Sequence, residues 1–357
     1  MFLPSLPRNV DAAFRDLASL KANTRRGALG DVVRHALGDE GVRARAVPMI
    51  EKLLRDDETA EVRSAAAVAL ADLGAKEALP SLLLSVEDAH PMVRQMAINA
   101  LGELEDPRGE QRLLRALRDS RPEVRYQALI AYTRVAKDEA DVARELLRAT
   151  KDDDDAIVHI ALRLAEERAP APGKDHADLP AELLDRAAAL LSAKHADVAA
   201  AAAILLGNVG DHRGKELLVQ IATGTGVSGK MPAKEEEQAA VELVGLLGYE
   251  SAREALTRRA FGLARYVKDT CAFPAKVALA ALDDARAKSE IITALSARDA
   301  ALRESAIVAC GRARITAARD ALAEIAARDP DPRVAGLARD ALAKLGDAAA
   351  ADAEGDA

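Results

Sequence analysis

Large aromatic side chains are nearly missing from this chain. They make up 2% of its 357 residues, and there is no tryptophan. The apolar content, 50% of residues, therefore falls to aliphatic side chains and alanine. Alanine and leucine are strong helix formers, and no alternating run of the kind a half-buried strand needs appears. Cysteine is as scarce. Cys271 and Cys310 stand far apart, which excludes a disulfide framework and a cysteine metal motif and fits reduced thiols in a core. No stretch reaches the roughly 20 apolar residues of a membrane span. The start, Met1 to Pro7, lacks the basic-then-apolar pattern of a secretory leader, so a cytoplasmic chain that enters no membrane is the expectation. Positive charge is also short. Fifty Lys and Arg against 58 Asp and Glu leave a net −8, which argues against a dedicated nucleic-acid binder, whose footprint is a basic face. The six histidines are scattered and never take the two-histidine spacing that holds a metal from one helix. No strand–turn–helix serine nucleophile is present either. Neither a metal nor a cofactor is expected.

What the chain does have is a short sentence written three times. Asp57, Asp88 and Asp119 each stand six residues before an arginine, Arg63, Arg94 and Arg125. A valine precedes each arginine, and an alanine follows each valine at the fourth position: Ala66, Ala97, Ala128. The period is 31 residues, and self-similarity at that length marks a solenoid. Val62, Ala66, Ala69, Leu70 and Leu73 recur at steps of three and four, an apolar stripe on a helix. Val47, Ile50, Leu53 and Leu54 make a second stripe just upstream. Each unit is thus a pair of helices whose alanines let a neighbouring helix pass close. One pair cannot bury both its faces, so pairs must stack.

These residues resemble HEAT repeats, in particular the short bacterial kind related to bilin-lyase repeats. Pro80, Asp88, Val93 and Arg94 match that family's first-helix proline, turn aspartate and valine–arginine opening of the second helix. Asp57, Val62 and Arg63 repeat the match, as do Asp119, Val124 and Arg125. The resemblance implies an all-α solenoid, a right-handed superhelix of helix pairs with second helices on the inner face. It also implies that the Asp and Arg residues form a structural ladder between repeats rather than a ligand-facing row.

Regular repeats are expected over 9–168, a flexible loop over 169–178, further repeats over 179–346, and a disordered acidic tail over 347–357. The first pair, ending with residues 24–37, carries a degenerate motif, as terminal repeats do. Asp152 to Asp155 precede a helix, whose positive N-terminus favours acids; a cation site is the alternative. Gly224 to Lys230 fits the opening of a phosphate-binding G-x-x-x-x-G-K loop, but Met231 replaces the magnesium-holding hydroxyl and the residues upstream read as helix. What remains there is a weak anion-binding loop, with Gly226, Gly229 and Lys230 as its residues.

The segment 249–273 breaks the regularity. It collects Tyr249, Phe261, Tyr266 and Phe273 among cationic side chains, the mixture enriched at protein interfaces. Arg253, Arg258, Arg259, Phe261, Arg265, Tyr266 and Lys268 are the expected partner-binding residues; the alternatives are that Phe261 and Phe273 fill gaps between irregular repeats while the charges face water, or that the mixture stacks on single-stranded bases. The leading function is a non-catalytic scaffold or adaptor that binds a protein or peptide. Alternatives are a bilin-lyase-like enzyme acting on a protein-bound tetrapyrrole and a HEAT-like nucleic-acid binder, the latter disfavoured by the acidic balance.

Overall fold

The computed structural model describes residues 8–169, 179–262 and 270–355, as backbone alone beyond Gly346. The loop expected over 169–178 lies outside them except for Ala169. All regular structure among the described residues is helical, and the chain divides into two compact units, Met1–Leu164 and Ala165–Ala357. No helix among the described residues is long and apolar enough to cross a membrane.

The first unit stacks α1 (Val10–Asp16), α2 (Ala22–Ala36), α3 (Glu40–Asp56), α4 (Ala60–Asp72), α5 (Leu79–Ser85), α6 (Pro91–Leu104), α7 (Glu110–Ala116), α8 (Pro122–Val135) and α9 (Glu139–Ala149). Helix α10 (Asp155–Arg168) spans the boundary. Helices pair in order, and the second member of each pair packs on the second member of the next: α2 on α4, α4 on α6, α6 on α8. The stripe explains this. Val62, Ala66 and Leu70 are fully buried, as are Val93, Ala97 and Val124, Ala128. Small residues set the approach: a Cβ added at Gly102 of α6 would lie 2.8 Å from the Cβ of Ala131 on α8, closer than real methyl groups come.

The second unit runs α11 (Ala181–Leu190), α12 (Ala196–Asn208), α13 (Lys215–Ala222), α14 (Lys234–Leu246), α15 (Arg253–Phe261), α16 (Ala272–Ala281), α17 (Ala285–Ala294), α18 (Ala300–Arg312), α19 (Arg319–Arg328) and α20 (Pro332–Gly355). The solenoid rule persists: α12 packs on α14, α14 on α16, and α18 on α20. One continuous apolar core joins α12 to α20, from Ala199 to Leu345. The row parts at one place, where α16 and α18 touch only sparsely. With ten residues, α16 is about one turn shorter than α14 and α18, which have thirteen each. The backbone of α20 continues through Gly355, so helix occupies most of the segment expected as a disordered tail.

Candidate partner-binding groove

Four rungs tie consecutive repeats of the first unit. Arg63 donates from Nε and Nη2 to both carboxylate oxygens of Asp88, at 2.8 and 2.9 Å. Arg94 does the same to Asp119, at 2.8 Å twice, and Arg125 to Asp152, at 2.9 and 2.7 Å. The fourth rung, Arg25 to Asp57 at 2.6 and 2.8 Å, opens the series in the pair whose motif looked degenerate. In each case Nη1 also reaches a backbone carbonyl six residues earlier, as Arg63 reaches Asp57 O at 2.8 Å. Each aspartate caps its own turn, accepting from the amide two residues on: Thr59, His90, Arg121 and Asp154. These arginines and aspartates are engaged with one another and with the turn backbone. A cavity of about 510 Å³ opens beside the last rung. Its charges are engaged in part, Arg118 with Glu145 and Arg125 with Asp152.

A second opening, about 670 Å³, lies where α16 and α18 part. Spacing on each helix aims its wall. Gln238 and Glu242 on α14, and Phe273 and Val277 on α16, are i, i+4 neighbours that share a face. On α18 the steps from Ala301 to Ser305, Val308 and Arg312 are four, three and four, again one stripe. Leu337 of α20 closes the far side. Two large apolar side chains stay open here, Leu302 at 40% and Val308 at 37% exposure. Glu304 is held by Arg333 through two hydrogen bonds, 2.8 and 2.7 Å. Glu242 is not so held. Arg312 Nη1 comes within 2.5 Å of its Oε2, but outside hydrogen-bonding geometry, and that buried oxygen has no hydrogen-bond donor. Burial pushes the Glu242 carboxyl above its usual range, and the attraction of Arg312 offsets only part of that.

Comparison with known proteins accords with the stacked helix pairs. A family model of HEAT repeats matches residues 81–165, and one of the PBS lyase HEAT-like repeat matches residues 62–88. The chain carries HEAT repeats. The solved structure of the Escherichia coli protein YibA aligns with 78% of this chain and 93% of its own, at 17% identity and a TM-score of 0.56, a likeness of fold. The complex of CpcE and CpcF of phycocyanin lyase from Nostoc sp. aligns over 89% and 95% at 19% identity, with a TM-score of 0.36. Importin beta aligns over 95% of this chain and 51% of its own at 13% identity, with a TM-score of 0.47. No curated protein matches the sequence.

Within the HEAT frame, the residues expected to bind a partner divide. Arg253 donates to both oxygens of Glu250, at 2.6 and 2.7 Å, and to Leu282 O at 2.5 Å, so it caps the end of α16. Arg259 pairs with Glu237, and both side chains are 17% exposed. Phe261 lies under the Arg286 guanidinium, 3.9 Å from its ring centre. Tyr249 is buried and bonded to His212 at 2.8 Å. Of the three described arginines expected to bind a partner, Arg258 is the one that faces solvent broadly, its side chain 72% exposed. Arg265, Tyr266 and Lys268 lie outside the described residues. The segment nevertheless borders the groove through Thr270 and Phe273.

The glycine loop is built differently from an anion cradle. Val227 and Lys230 bridge each other, with hydrogen bonds of 2.7 and 2.9 Å, around Ser228 (φ 49°) and Gly229 (φ 81°). Two positive φ values make this a tight hairpin turn. The amides of Gly224, Thr225, Gly226, Val227 and Lys230 all donate to carbonyls within the loop or α13, so the backbone donors of Gly226 and Lys230 are not free for an anion. Asp152, considered above as part of a cation site, is committed to Arg125. Among the described residues no group of three or more metal-ligating side chains is assembled.

Proposed function

We propose that this HEAT-repeat chain is a non-catalytic scaffold that holds a segment of a partner protein in the groove between α16 and α18. One observation carries the reading: Leu302 and Val308 of α18, both lining this groove, leave about two fifths of their surface open where the row of second helices parts. Exposed apolar side chains gathered in a concave site mark binding surfaces, whereas single ones do not. A volume of about 670 Å³ falls within the range of ligand-sized clefts and takes a few side chains of an inserted segment. The polar groups of the groove favour binding over bond-making. The Ser305 hydroxyl donates back to Ala301 O at 2.8 Å, and Glu304 is held by Arg333, so neither stands as a free nucleophile or base.

Comparative affinity capture tests it. Wild type and the double variant Leu302→Asp/Val308→Asp are used on the same nuclease-treated lysate, with recovery quantified by mass spectrometry. Both positions are partly exposed, so folding should survive, and a helical circular dichroism spectrum checks that it has. Burying each side chain contributes on the order of 1 kcal/mol after allowing for its partial exposure. Added to the cost of burying two carboxylates, this predicts at least tenfold lower recovery of a stoichiometric protein partner. Equal recoveries would remove the groove from the account.

A further inference from the structure

We infer that the groove seats a cationic side chain, lysine or arginine flanked by apolar residues, of the partner segment against Glu242. This rests on the groove reading above and names the chemistry the groove selects.

The two carboxylates of the groove are in opposite states. Glu304 has both oxygens bonded by Arg333. Glu242, with a side chain 17% exposed, receives no hydrogen bond at Oε2 although that atom is buried. An ionised carboxylate accepts about four hydrogen bonds, and a buried acceptor left without a donor is a marked exception in folded proteins. Arg312 supplies charge but not a hydrogen bond, and it does so from the rim. Its side chain is 42% exposed and reaches Glu242 from α18, past α16. A long side chain at that exposure can turn to water at little cost, whereas Glu242 cannot leave its site. An entering ammonium or guanidinium therefore provides the donors Glu242 lacks and displaces a mobile neighbour.

Charge selects in the same direction. The ionisable groups lining the cavity are Glu242, Glu304 and Arg312; Glu304 is neutralised by Arg333, which leaves Glu242 and its rim partner Arg312 to meet an entering side chain. An acidic segment would have to draw Arg312 away and strand Glu242 as a buried carboxylate without a counter-ion, which is strongly disfavoured. A basic segment meets no such conflict. The flanking contacts are apolar: Phe273 and Val277 on one wall, Leu302 and Val308 on the other. Together they describe a cation set between apolar side chains.

The test is selection of a random twelve-residue peptide display library on immobilised full-length protein. Wild type, Glu242→Gln, Arg312→Ala and the Leu302→Asp/Val308→Asp double variant are run in parallel. Wild type should enrich lysine or arginine at one fixed position between apolar residues. A synthetic peptide of that consensus should bind Glu242→Gln at least tenfold more weakly and Arg312→Ala as tightly as wild type or more so. Glutamine is nearly isosteric, and a melting curve verifies each variant. A consensus bearing Asp or Glu that is lost with Arg312→Ala overturns the inference. So does an apolar consensus indifferent to Glu242→Gln; if the double variant abolishes that enrichment, the groove itself stands. Enrichment untouched by the double variant, or none at all, overturns the groove reading and this inference together.

Discussion

A guanidinium has donors on one planar fork, and the ladder uses three of them at once. In Arg94, Nε and Nη2 take both oxygens of Asp119 and Nη1 takes Asp88 O at 3.0 Å. One side chain thus joins its own turn to the turn of the next repeat. Both partners are 14% exposed, shielded from much of the screening that leaves surface pairs worth little. Arg94→Ala should lower unfolding stability by about 2 kcal/mol, the usual magnitude for hydrogen bonds to charged groups and below the cost of breaking a fully buried pair. Arg94→Lys should recover only a minor part, because an ammonium cannot bind two oxygens in a plane. Urea unfolding at neutral pH reads both. An unchanged midpoint for Arg94→Ala would show that the rung is ornament. Three of the four arginines were legible in the sequence because each follows a valine at a fixed distance from an aspartate. Arg25 was not. It follows Thr24 and stands 38 residues before Arg63, off the 31-residue period. The available signal was Asp57, a ladder aspartate that needed an arginine upstream.

The helix-level arrangement depends on how near second helices can approach. Gly245 of α14 has no room for a methyl group, since a Cβ there would overlap the backbone of Ala278 on α16. A backbone cannot give way as a flexible side chain can. Gly245→Ala should therefore cost about 3 kcal/mol or more, at the upper end of overpacking penalties, despite alanine's better helix propensity. Gly30→Ala serves as the control, because its Cβ would meet nothing within 4 Å; there alanine should leave stability unchanged or raise it slightly. Thermal melts of the two variants separate packing from propensity. A Gly245→Ala melt equal to wild type would mean that α14 and α16 sit farther apart than described. Close approach was legible in the alanine stripe, as was the helix pairing. The groove was not, because the parting of α16 from α18 is a matter of how whole helices stack, and no local pattern records it. The cationic cluster was visible as composition, but composition does not say where a side chain ends. Arg253 and Arg259 turn inward to Leu282 O and Glu237.

Across the whole molecule, the two units differ in how carboxylates serve them. In the first, burial acts to raise the carboxyls of Asp57, Asp88, Asp119 and Asp152. Hydrogen bonds from their arginines and from turn amides outweigh it and hold all four below the usual range. A group whose folded value is depressed contributes stability above its unfolded value, near 3.9 for aspartate, and loses it as pH falls through the lower folded value. Four such groups in one row lose it together. As Asp72 does within the first unit, Glu242 in the second runs the other way. Its folded value is raised, chiefly by burial, so its charge costs stability at neutral pH and that cost is relieved as pH falls through the raised value. Lowered carboxylates there, such as Asp211 beside Arg213 and Glu290 beside Lys276 and Arg286, do not recur as a row among the described residues. Acid should therefore loosen residues 25–164 before 179–346. Hydrogen exchange followed by mass spectrometry between pH 5 and pH 2.5, with exchange times scaled for intrinsic rates, reads the two regions separately in the intact chain. Protection of α4, α6 and α8 should fall below about pH 4 while that of α14, α16 and α18 persists. In a solenoid each repeat is stabilised mainly by its neighbours, so a failure of the rungs should spread along the first unit as one transition. Loss of protection in the second unit first would mean that the ladder does not set the acid limit of the first.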